Sequence, residues 1–125
     1  MISYQAYKVI HLIGIFLTLA ALAGLALAAA SGATKQTNPA RKLISVSHGV
    51  GLLVVLVGGF GLLARLGVIH GSAFPGWVWA KLAIWVTMGA LVAVPYRRPD
   101  LARLVFIALP VLGGLAAWLA IYKPF

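Results

Sequence analysis

The chain contains no cysteine and a single acidic residue, Asp100. Without cysteine there is no disulfide, no thiolate metal site and no cysteine nucleophile, and the redox compartment leaves no mark on the sequence. One carboxylate cannot form the paired site of general acid–base chemistry, and no Ser-His-Asp constellation can be assembled around it. Phosphate loops and dinucleotide fingerprints are missing as well. Met1 and Met88 are the only methionines, which leaves copper handling without its soft ligands. The apolar runs hold no carboxylate for proton-coupled transport, and the chain has no sign of an inverted repeat.

What is present is apolar. Hydrophobic residues fill 63% of 125 positions and charged residues 9%, more apolar side chain than a water-soluble domain of this length can bury. The class implied is an integral membrane protein. Ten lysines and arginines give a net charge of +9. In a soluble protein that excess would point to nucleic acid. Here the basic residues mostly flank apolar runs, so topology and lipid headgroups account for them and no nucleic-acid partner is expected.

Four runs are long enough to cross a bilayer at 1.5 Å rise per residue. They predict helices over about residues 7–30, 43–66, 76–96 and 101–122. The runs do not alternate inside and outside, which excludes strands. Ala28-Ala29-Ala30-Ser31 has the small residues of a signal-peptide cleavage site, but we count the first run as a retained helix. The connections are short, and short links make neighbouring helices antiparallel. The expected fold is an all-α, up-down-up-down four-transmembrane-helix bundle, one domain over residues 1–125, with no soluble part. Lys35, Arg41, Lys42, Arg97, Arg98 and Arg103 cluster at one face; Lys8, Arg65, Lys81 and Lys123 belong to the other. By the positive-inside rule the first face is cytoplasmic and both termini lie outside. Tyr4, Tyr7, Phe74, Trp77, Trp79, Trp118, Tyr122 and Phe125 all fall at the outer face and read as an interfacial aromatic belt. Small residues mark expected helix contacts: Ala20, Gly24 and Ala28 on the first helix, Gly58, Gly59 and Gly61 on the second, Gly113 and Ala117 on the fourth. Pro110 is expected to bend the fourth.

Polar groups inside the runs are few. Lys81 is the only basic residue with long apolar sequence on both sides, and an intramembrane charge is a hint of function. Trp77, Lys81, Trp85 and Met88 share one face of the third helix. On the first, Lys8, His11, Ile15 and Thr18 share another. His11 and Lys81 lie at similar depth, about one turn below the outer surface. Together they suggest a polar pocket that holds a carboxylate, or a haem iron ligated by His11. The bland alternative is that Lys81 snorkels to the headgroups and His11 bonds a nearby carbonyl. Arg41, Ser45 and His48 share a face at the other end of the second helix. His48 is then a satisfied helix-end histidine or a ligand at a second site. It lies about 15 Å from His11 in depth, too far for both to sandwich one iron. His70, in the outer loop, either caps the pocket or faces water.

The sequence resembles a loose group of small four-helix bacterial membrane proteins: the HemJ-type protoporphyrinogen oxidases, the SirB family and the membrane part of CopD. The matching residues are Lys8-Val9-Ile10-His11, Gly76-Trp77-Val78-Trp79-Ala80-Lys81-Leu82, Pro110 and Lys123-Pro124-Phe125; His48 looks more like SirB. The resemblance implies a bacterial inner-membrane location, haem binding, and important roles for His11 and Lys81. HemJ proteins carry an Asn-Glu pair where this chain has Ala108-Leu109, and an Arg and a His near Ala28-Ala29-Ala30. The expectation is therefore a haem b, tetrapyrrole or quinone-like cofactor held near the outer leaflet by His11, Lys81, Thr18, Trp85 and His48. Its use would be electron transfer or cofactor handling rather than oxidase catalysis. The competing expectation is a non-catalytic subunit that packs with other membrane proteins or with copies of itself. A pore or carrier is a third.

Overall fold

A computed structural model describes residues 2–67 and 74–125. It is built from helices: α1 (Tyr4–Ala30), α2 (Arg41–Leu66), α3 (Gly76–Ala90), α4 (Val94–Arg97) and α5 (Ala102–Tyr122), with 3₁₀ turns at Leu91–Ala93 and Pro99–Leu101. Four stretches are long and apolar enough to cross a membrane: Tyr4–Ala30, Arg41–Leu66, Gly76–Arg97 and Pro99–Tyr122. They coincide with the four apolar runs, as they should if hydropathy selects them. The expected continuous third helix is interrupted. Pro95 has no N–H to give the Leu91 carbonyl, so that carbonyl accepts from Val94 instead and the turn tightens. Helix α5, by contrast, runs through Pro110 as one element.

α1 is the central element. Leu22, Leu25 and Ala26 on it are fully buried. Leu25 packs with Ala21 and Ile44, against Val92 and Tyr96, while Leu22 packs with Met88 and Leu109. Against α2 the contacts fall in reverse order along the two chains. Tyr7 meets Gly61, His11 meets Gly58, Gly14 meets Val55 and Thr18 meets Gly51. A Cβ on Gly14 would lie 2.6 Å from the Val55 nitrogen, and one on Gly58 2.8 Å from the His11 Cα. Both positions therefore bring backbone to backbone, which is how helices gain dispersion where lipid supplies no hydrophobic drive.

The expected small-residue contacts are met in part. Gly58, Gly59 and Gly61 do face α1, but a Cβ on Gly24 would meet nothing within 4 Å and Ala20 is exposed. On α5, a Cβ on Gly113 would reach only the tip of Leu19 (3.9 Å), and Ala117 is exposed. Two further close positions on this interface between α1 and α2, Gly14 and Gly51, were not among those expected.

Two end structures hold the bundle together. At one, Asn38 accepts from the Ala40 N–H (3.0 Å), at the start of α2, and donates to the Tyr96 hydroxyl (2.9 Å). At the other, Lys123 adopts the left-handed conformation (φ 47°) and ends α5. The chain then turns back, and Phe125 accepts from the Trp77 N–H (3.1 Å) at the first turn of α3. Phe125 also covers Gly76, where a side chain would collide with its ring. Trp77, one of the aromatics at this end, is buried with Leu63, Val78 and Leu119. Trp79, Trp118, Tyr122 and Phe125 remain exposed at that end.

Candidate functional site

Helices α2 and α3 are consecutive in sequence, yet their backbones scarcely approach each other, whereas α1 lies tightly on α2. The space left over is a cavity of about 670 Å³ walled by α1, α2, α3 and α5. That volume falls within the range of small-molecule sites. Two long side chains span the gap. The Trp85 indole donates to the Leu52 carbonyl (3.0 Å), and His48 Nε2 donates to the Met88 carbonyl (3.0 Å). Each ties α2 to α3 without bringing their backbones together.

The wall is mainly leucine, isoleucine and valine with Phe16, Phe60, Trp77 and Trp85, and glycine and alanine from α5. Its polar members are few: Tyr4, Lys8, His11, Thr18, Lys81 and Lys123. His11 and Lys81 thus both line one cavity, from α1 and α3, although no hydrogen bond joins them. Thr18 lies on the wall but is buried, and its hydroxyl donates to the Gly14 carbonyl (2.8 Å). Trp85 also lines it, with its polar atom already engaged. His48 is buried away from the cavity, held by Met88 as a satisfied histidine. His70 lies outside the described residues.

His11 is held in a defined way. Its Nδ1 lies 2.9 Å from the Val55 carbonyl. A carbonyl only accepts, so Nδ1 carries the proton and the neutral ring keeps its lone pair on Nε2. Among the described residues Nε2 has no hydrogen-bond partner, and no buried side-chain nitrogen or oxygen is left unpaired. Nε2 is therefore not buried, and His11 lines the cavity. Gly59 forms the bed under the ring: a Cβ there would lie 3.3 Å from Cε1 and 3.4 Å from Nδ1. Imidazoles that ligate metals are commonly oriented by such an N–H to carbonyl bond on the other nitrogen.

No protein-family model matches the chain, and no curated protein or solved structure matches it either. Among the described residues no three histidine, cysteine or acidic side chains come together to hold a metal ion. One imidazole is an incomplete ligand set for a bare cation, but it is sufficient as an axial ligand to a macrocycle that brings its own four nitrogens.

Two features were beyond sequence reasoning. The engagement of Lys123 follows from the C-terminal return: its ammonium donates to the Ala120 carbonyl (2.7 Å) and lies 5.3 Å from the centre of the Trp77 ring. The role of Gly59 follows from the packing of α2 on α1. Its place in the run Gly58-Gly59-Phe60-Gly61 was a signal for close packing, but not for what lies against it.

Proposed function

We propose that this is a multi-pass protein of the bacterial cytoplasmic membrane, an up-down-up-down bundle with both termini outside. Its cavity holds a haem or another tetrapyrrole for electron transfer or cofactor handling. The observation that carries the reading is His11. Its Nδ1–H is committed to Val55, and its Nε2 lone pair is available on the wall of a mainly apolar cavity. His11 would hold the iron, and the apolar walls would hold the macrocycle. A bound haem would supply one-electron chemistry at its iron; the protein's contribution is to orient His11 and to exclude water. The resemblance to the HemJ-type group picks out His11 and Lys81 as well. The clustering of Lys35, Arg41, Lys42, Arg97, Arg98 and Arg103 supports the orientation.

The test is an absorption spectrum. Purified protein titrated with haemin in detergent is expected to develop a Soret band with saturable, one-to-one binding. His11→Ala abolishes it, and His48→Ala leaves it in place. A protein that takes up no haem, or whose His11→Ala variant binds as well as the parent, refutes the proposal. A colourless protein that purifies with stoichiometric membrane partners instead establishes the alternative, a non-catalytic assembly subunit.

A further inference from the structure

The three lysines on the cavity wall are in different states. Lys123 is spent on the Ala120 carbonyl and the Trp77 ring. Lys8 is exposed and lies 5.9 Å from the centre of the Tyr4 ring. Lys81 is half-buried, and no hydrogen bond, ion pair or ring contact engages it among the described residues. The protein has one acid with which to neutralise it, and Asp100 is already paired with Arg98 (2.8 Å). An ammonium held among apolar walls without a counter-charge is costly, and the cost falls when an anion arrives with its own hydrogen-bond acceptors.

We propose that the occupant of the cavity is a carboxylic acid with a large apolar body, its carboxylate seated on the Lys81 ammonium. This deepens the reading above, because it rests on the same cavity. It also separates the ligand classes that His11 alone admits: an acidic tetrapyrrole satisfies Lys81, whereas a neutral quinone leaves it unpaired. The apolar part of the wall is large, and the cationic groups Lys8, Lys81 and Lys123 all belong to the end of the bundle where α1 and α3 begin and α5 ends. The site is therefore an apolar chamber with a positive end, complementary to an amphiphile that carries its negative charge at one end.

Matched probes test this in nanodiscs of phosphatidylcholine, whose headgroup has no net charge. The first pair is haem and haem dimethyl ester, which share iron and ring and differ in whether the propionates are free or methylated. The second is the fluorescent polyene parinaric acid and its methyl ester, which involve no iron. The acid of a pair is expected to bind about tenfold or more tightly than its ester, the worth of one charged hydrogen bond. Lys81→Met should erase that preference and Lys81→Arg should keep it, with circular dichroism checking that both variants fold. If haem fails to bind but parinarate shows the Lys81-dependent preference, the carboxylate site stands and the haem reading falls. If haem binds through His11 with no preference for acid over ester in either pair, the carboxylate site falls and the haem reading stands. A preference that survives Lys81→Met, or its absence from both pairs, overturns the inference.

Discussion

Replacing Gly14 by alanine should damage the protein, while the same change at Gly24, ten residues along the same helix, should not. At Gly14 the new methyl would meet Val55 N at 2.6 Å and Gly51 O and Val54 C at 3.0 Å. All three are backbone atoms, so no side chain can rotate away. Restoring ordinary contact requires α1 and α2 to part by about 0.8 Å. A gap of that size forfeits roughly a quarter to a half of the dispersion energy of the contacts it opens. Overpacking of this kind costs about 1–3 kcal/mol. We expect the upper part of that range, because the neighbouring pairs His11–Gly58 and Thr18–Gly51 are equally close and must open together. At Gly24 nothing lies within 4 Å, and alanine should be neutral or gain up to about 1 kcal/mol of helix propensity. The two variants should therefore differ by about 2–4 kcal/mol. Reversible unfolding in mixed detergent micelles, followed by far-ultraviolet circular dichroism, measures the difference. The separation also stretches the bond from His11 to Val55, so Gly14→Ala should weaken haem uptake while Gly24→Ala does not. Equal stability of the two variants would refute the assigned helix interface.

Other expectations follow from the same contacts. Trp85→Phe removes the donor to the Leu52 carbonyl and should cost about 0.5–1.5 kcal/mol, with faster hydrogen exchange on the facing turns of α2 and α3. Asn38→Ala loses both the Ala40 and Tyr96 bonds and should cost about 1–2 kcal/mol in the same unfolding assay, with haem titration unchanged. Asp100→Asn breaks an ion pair whose side chains are 63% and 61% exposed, so melting temperature should not move measurably at moderate salt.

The parts of this protein legible in the sequence are those set by local composition. Four apolar runs mark four spans because hydropathy is summed along the chain, and the structure places helices on them. The break in the third span was not anticipated, although Pro95 stands in the run and its effect follows from one missing N–H. His11 and Lys81 stood out because a polar group in an apolar run is conspicuous, and helical spacing put them on usable faces. Their arrival at one cavity was an expectation that only packing could fulfil. The helices are apolar all round, so no polar face announces which side turns inward. Rotation about each axis is then decided by shape: where Gly14 and Gly51 admit backbone, and where Trp85 and His48 tie α3 to α2. The sequence by itself determined the spans and the short roster of polar side chains. Tertiary structure alone decided which of them are spent on carbonyls and which are left facing a cavity. A hydrogen bond between helices depends on distances set by packing across the whole bundle, and no local pattern encodes them.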